Sequence, residues 1–195
     1  MARLMSSIGA KRLTFEKWMA LPETKQRYEI VDGAMLMAPA PTADHQWIMF
    51  EISVRLRSFV NERDLGVVPP APVDLLIQRE PLRTRQPDIL YLSAERTGMR
   101  GRSQLRGVHF LEIPPDLVVE VLSLSNSRRD TDERLADYKR IGVLECWLVS
   151  PEAETIEVLR LSPGESSTEA IFGVDGTLIS EVLSEFTLPI REIFG

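Results

Sequence analysis

The segment Leu117-Val118-Val119-Glu120-Val121-Leu122 constrains this chain more than any other. A short aliphatic run behind the turn-forming Pro114-Pro115-Asp116 reads as a buried strand. One carboxylate, Glu120, interrupts it. An isolated ionised carboxylate is expensive to bury, so the fold must bring Glu120 a partner. The next residues, "NSRRDTDERLADYKRIG", read as a helix with Leu135, Tyr138 and Ile141 inward and Gly142 at its end. "ECWLVSP" then returns as a short apolar strand.

The rest of the chain alternates in the same way. Thr14 caps a short helix in "TFEKWMALP", and Pro22 follows its end. "RYEIVDGAMLMAP" predicts a hairpin, with strands Tyr28–Val31 and Ala34–Met37 about an Asp32-Gly33 turn. Ile48, Ile52, Leu56 and Phe59 predict a long helix that stops near Gly66. "VVPPAPVDLLIQREP" and "QPDILYLSAE" predict two more strands, and an Arg- and Gly-rich loop fills 95–110. Two or three strands joined by Gly turns follow residue 154, and a short amphipathic turn closes the chain. The order implies a mixed α/β (α+β) fold with a central sheet, one domain over 13–195 and a flexible arm over 1–12.

Composition excludes several functions. No apolar stretch approaches the ~20 residues that cross a bilayer, and no signal-peptide core is present, so a cytoplasmic protein is expected. Cys146, the single cysteine, lies in an apolar context and reads as a buried thiol, and with two histidines there is no zinc cluster. Neither a P-loop nor a dinucleotide fingerprint occurs, so no organic cofactor is expected. The net charge of −6 argues against a nonspecific nucleic-acid coat but allows a local basic groove.

Acids recur at strand ends: Asp88 heads "DILYL", Asp116 heads "DLVVEVL", and Glu29 sits between Tyr28 and Ile30. Pro-Asp before a strand is often turn chemistry alone, the reading preferred for Asp116. A Glu among valines can also sit on an exposed face or pair with an Arg. If the strands of Asp88 and Glu120 pair, however, the two carboxylates converge. A hard cation such as Mg²⁺ relieves their repulsion and supports water attack on a phosphodiester.

"RYEIVDGAMLMAPAPTADHQ", "QPDILYLS", the segment from Pro114 through "ECWLVSP" and the closing "FTLPIREIFG" together resemble the Uma-type restriction endonuclease family of the PD-(D/E)XK nuclease superfamily. The resemblance implies a restriction-endonuclease-like core, a mixed central sheet flanked by helices, with an N-terminal hairpin and extra C-terminal strands. It implies that Asp88 and Glu120 hold Mg²⁺ or Mn²⁺, that the Val121 carbonyl assists, and that Glu29 joins the site. It also implies DNA as substrate and a homodimer.

One position departs from the motif. The superfamily lysine belongs two residues after the acid, where this chain has Leu122. Arg134, on the following helix, is the residue that could supply the charge instead, and Lys139 lies further along. Arg134 is always protonated and cannot act as a base, so it stands between a site role and an ordinary ion-paired helix residue. Between 79 and 106, seven arginines face three acids, a local net of +4, which is either a phosphate-contacting surface or a solvated loop. Arg83, Arg85, Arg100 and Arg102 from this cluster, with Arg128 and Arg129, are the candidate nucleic-acid contacts. His45 reads as a helix-start or packing residue, although the resemblance draws attention to it. The expectation is a metal-dependent DNA endonuclease. The missing lysine favours the alternative, a degenerate nuclease fold that binds nucleic acid or a protein partner.

Overall fold

A computed structural model describes residues 12–22, 24, 26–123, 127–162 and 165–195. The arm expected over 1–12 falls almost wholly outside these residues, as do positions 124–126 and 163–164.

The elements run α1 (Phe15–Met19), β1 (Tyr28–Val31), β2 (Ala34–Met37), α2 (Ala43–Glu62), β3 (Gly66–Val67), β4 (Asp74–Gln78), β5 (Arg83–Arg85), β6 (Ile89–Ser93), α3 (Ala94–Thr97), β7 (Phe110–Leu111), β8 (Leu117–Val121), α4 (Arg128–Ile141), β9 (Glu145–Ser150), β10 (Thr155–Ser162), β11 (Glu165–Phe172), β12 (Thr177–Ile179), β13 (Thr187–Pro189) and α5 (Arg191–Phe194). A 3-10 turn, Arg102–Leu105, lies between α3 and β7. The hairpin has the bounds its sequence predicts. Asp32 and Gly33 both take positive φ, 52° and 79°, as a tight two-residue turn between right-twisted strands requires.

The expected mixed central sheet is present and is joined by a second sheet. A six-stranded mixed sheet is ordered β11-β10-β9-β8-β6-β3, and a five-stranded sheet is ordered β2-β1-β5-β4-β7. β12 and β13 form a separate pair. The three-residue β5 escapes sequence reading because "RTR" has no apolar periodicity. It is a strand because its backbone is claimed on both sides, by β1 and β4.

β8 is interior, antiparallel to β6 and parallel to β9, with α4 as the crossover between the parallel strands. Both of its faces are covered, which explains the near-continuous apolar run. Leu117, Val119 and Val121 pack with Ile48, Ile52, Leu56 and Val60 of α2. Val118 faces the other way, with Tyr138 of α4 and Leu75 and Ile77 of β4. Glu120 shares the parity of Val118, so it points into the layer between the two sheets.

The remaining predictions need small corrections. The fourth buried residue of α2 is Val60, while Phe59 packs only partly. Arg63 ends that helix, and Gly66 starts β3. A Cβ at Gly66 would lie 2.1 Å from the Leu92 carbonyl oxygen, so this glycine permits close strand approach rather than stopping a helix. Ser127 and Asp130 form a capping box at the start of α4, and Gly142 closes it in the left-handed region. Cys146 is fully buried.

Candidate active site

β6 and β8 pair with Ile89 opposite Val119, and one further step sets Asp88 opposite Glu120. The two acids therefore lie at one end of the strand pair, and the charge of Asp88 bears on Glu120. Both are buried, at 5% and 8% exposure. Asp88 is well provided for. Its Oδ2 accepts the Val121 backbone N–H at 2.9 Å, its Oδ1 accepts from Arg27 Nη1 at 3.0 Å, and His45 Nε2 stands 3.3 Å from Oδ2. Burial works to raise the Asp88 carboxyl. The His45 hydrogen bond and charge, the Val121 N–H and Arg27 outweigh it, and the group titrates below its ordinary value.

Glu120 is less well served. The Tyr138 hydroxyl donates to its Oε1, and Arg134 Nη1 is 3.4 Å from the same oxygen. That arginine lies closer to Glu29, at 2.7 Å. Burial, the largest influence, pushes the Glu120 carboxyl up to about 7. Arg134 opposes the rise, and the nearby charges of Asp88 and Glu29 add to it. Arg134 itself is held above its ordinary value: burial lowers it, and Glu120, Tyr138 and Glu29 more than compensate.

α4 presents Arg134, Asp137 and Tyr138 on one face, at the i, i+3, i+4 spacing of helix neighbours. They complete a chain of ion pairs between the sheets. Asp32 Oδ1 accepts from Arg83 Nη2 at 2.9 Å, and Arg83 Nη1 donates to Asp137 Oδ2 at 2.9 Å. Arg85 Nε donates to the same Asp137 oxygen at 2.8 Å, and Arg85 Nη1 donates to Glu29 Oε2 at 3.0 Å. Glu29 Oε1 takes the Gln86 backbone N–H at 3.0 Å as well as Arg134. The chain ends at Glu120, the carboxylate that shares its arginine.

Several expected roles are corrected by this geometry. Arg83 and Arg85 are not phosphate-contacting surface. Their side chains are 14% and 5% exposed, and reaching a phosphate would take from the buried Asp137 its two close arginine partners. Glu29 joins the cluster through its ion pairs with Arg85 and Arg134. Asp116 follows its plain reading: its Oδ2 caps the Ser93 N–H at 2.7 Å, and Arg96 pairs with it. Leu122 packs against the core where the motif lysine is expected. Arg100 is exposed and pairs with Asp64, Arg129 is exposed and pairs with Glu133, and Arg102 and Arg128 lie on the surface.

Asp137 is illegible in the sequence, and His45 stands out there only through the family resemblance. Asp137 looks like one more charge in an acidic-basic helix, yet it is 1% exposed and grips two arginines from a distant strand. His45 is the third residue of α2, set there by Thr42, whose hydroxyl accepts the His45 N–H at 3.2 Å. Only the packing of the helix start against the end of β6 and β8 makes it a site residue.

Among the described residues, no three His, Cys, Asp or Glu side chains are arranged to hold a metal. The donors that fit a divalent cation are the Asp88 and Glu120 carboxylates, whose strands pair. Two carboxylates with waters are a usual protein share of a Mg²⁺ site. The under-neutralised, buried Glu120 is a group that a cation would relieve.

A mixed α/β fold that sets two acids together at the end of a strand pair is a nuclease-like architecture. The chain superposes with a TM-score of 0.74 on a crystal structure from Anabaena variabilis described as a putative nuclease belonging to DUF820, at 21% identity, covering 93% of this chain and 97% of that one. No curated protein sequence matches it. Residues 14–191 match the model of the Uma2 family, described as a putative restriction endonuclease, and the chain belongs to that family. None of its described helices is long and apolar enough to cross a membrane.

Proposed function

We propose that this protein is a divalent-metal-dependent endonuclease that hydrolyses DNA phosphodiester bonds. The observation that carries this reading is the buried Glu120, opposite Asp88 and short of countercharge. Retaining such a group without a purpose would be costly. A cation held by Asp88 and Glu120, either Mg²⁺ or Mn²⁺, with the Val121 carbonyl assisting, would supply Lewis acidity and activate water. Glu29, through its 2.7 Å bond, fixes the Arg134 guanidinium beside Glu120. There Arg134 stabilises negative charge developing on the phosphoryl oxygens, a role it can fill because it stays protonated. Tyr138 holds the Glu120 carboxylate in place from the helix side. Asp88 stays ionised in its cradle of Val121 N–H, Arg27 and His45. Arg100, Arg102, Arg128 and Arg129, on the exposed surface, are the backbone-phosphate contacts in this reading.

A homodimer belongs to the same reading. β2 is an edge strand whose Met35, Leu36 and Met37 are all exposed, a surface suited to pairing with a second copy. A second reading, a catalytically silent module that binds nucleic acid, is favoured by one observation: the core-packed Leu122 in place of a lysine.

Supercoiled, linear duplex and single-stranded DNA, incubated with Mg²⁺ or Mn²⁺, separate the two readings. Wild type should cleave at least one form, with Asp88→Asn and Glu120→Ala slower by about 100-fold or more. Cleavage equal in all three proteins, or by none, would refute the nuclease; binding by all without cleavage would support the silent module.

A further inference from the structure

On the face of the five-stranded sheet turned away from the six-stranded one, Trp18 of α1 packs on an apolar patch of Ile30, Leu76 and Leu82. The next row of that face is not apolar. Asp74 of β4 is in register with Phe110 of β7. Leu75 pairs with Arg85, so one further step sets Gln86 beside Asp74, and Gln86 Nε2 donates to Asp74 Oδ1 at 3.0 Å. Ile30 pairs with Thr84, so two further steps set Tyr28 beside Gln86. The row therefore runs aromatic, amide, carboxylate, aromatic. With Trp18 and Arg27, these four residues line a cavity of about 480 Å³, within the usual range of small-molecule sites.

The polar pair in this row is short of donors. Gln86 is 7% exposed, and its Oε1 is buried with no partner among the described residues. A buried acceptor without a donor is uncommon in a folded chain. Asp74 accepts the Gln86 N–H, but burial pushes its carboxyl up, that bond only partly offsets the rise, and the charge of Glu29 adds to it. The pair thus presents an amide oxygen and a carboxylate between two half-buried aromatic rings. A flat ligand with two adjacent N–H donors on one edge meets both needs. Among the bases, guanine alone offers that edge, through N1–H and the N2 amino group. Adenine and cytosine set a ring acceptor beside their amino group, and thymine sets its single N–H between two carbonyls, so each would turn a lone pair toward Asp74.

We propose that this cavity binds an unpaired guanine, with N1–H and the N2 amino group donating to Asp74 and Gln86 and the ring against Tyr28 and Phe110. In a duplex those donors are taken by cytosine, so the base must come from a single strand, a flipped nucleotide or a free nucleotide. Arg27 ties the cavity to the candidate active site. Its Nη2 donates to the Gln86 carbonyl oxygen at 2.8 Å, and its Nη1 donates to Asp88 Oδ1 at 3.0 Å. The inference rests on the nuclease reading for its purpose, which it narrows to strands that present an unpaired guanine near the cleaved bond. The binding itself requires no metal.

The test uses the full-length protein in EDTA, so that binding is read apart from cleavage. Fluorescence anisotropy compares a labelled oligothymidine strand carrying one guanine with the same strand carrying inosine there, which lacks the N2 amino group. Wild type should bind the guanine strand ~10-fold or more tightly than the inosine strand, and Asp74→Asn should abolish the preference. Deoxyguanosine monophosphate as competitor separates the sources: displacement at concentrations equal to the strand supports a free nucleotide as ligand, and displacement only in large excess supports a base within a strand. Equal affinity of wild type for the two strands, or a preference that survives in Asp74→Asn, overturns the proposal. If Asp74→Asn does not fold, photocrosslinking of wild type to a 6-thioguanine strand decides. A crosslink mapped to Trp18, Tyr28 or Phe110 supports the cavity, and a crosslink elsewhere, or none, overturns it. Cleavage of DNA with Mg²⁺ or Mn²⁺ without any guanine preference overturns the cavity and leaves the nuclease standing. Guanine preference in a protein that cleaves no DNA supports the cavity and defeats the nuclease.

Discussion

Replacing Glu120 with Gln should make the metal-free protein more stable at neutral and alkaline pH, and the gain should depend on pH in a defined direction. Burial raises the Glu120 carboxyl from 4.5 to about 7 in the folded chain. Between those values the folded state holds a proton that the unfolded state has released. Wild-type stability attributable to this group is therefore complete below about pH 4.5 and is lost as pH rises through about 7. At about 1.36 kcal/mol per pH unit, the loss is of order 3 kcal/mol. Gln carries no such proton but still accepts from Tyr138, and Arg134 keeps Glu29. The stability difference, Glu120→Gln minus wild type, should then grow by about 3 kcal/mol from about pH 4 to about pH 8. Urea unfolding in EDTA, followed by tryptophan fluorescence across that range, reads it directly. A difference that stays flat with pH would refute the idea that burial of this carboxylate goes unmatched by its partners.

Arg134→Met should destabilise the fold by about 3–5 kcal/mol above pH 7, because it leaves Glu120 a buried charge without its arginine, while Glu29 keeps Arg85. Arg134→Lys should recover part of that stability, and thermal melts of the two variants make the comparison. Asp137→Ala removes the acid that grips both Arg83 and Arg85, so a loss of about 3–5 kcal/mol is expected in urea unfolding. A loss below about 1 kcal/mol there would mean that water penetrates the layer between the sheets and screens the arginines.

Much of this protein is written locally. The hairpin, the cap at Thr14, the α4 stop at Gly142 and the buried strand at β8 follow from turn chemistry, capping and periodicity, which act within a few residues. Glu120 was legible for the same reason: a charge inside an aliphatic run conflicts with its neighbours. Partners drawn from afar were not legible. Arg83 and Arg85 looked like surface charge, yet they are joined to Asp137, more than fifty positions away in the chain. β5 has no pattern of its own and exists because two strands claim it. His45 belongs to the site because the first turn of α2 packs over the end of β6 and β8. Sequence alone marked Glu120 as a charge in an aliphatic strand that must be compensated if it is buried. The tertiary structure decided by what, because compensation of a buried charge depends on separations of about 3 Å, and only folding sets those between residues distant in the chain.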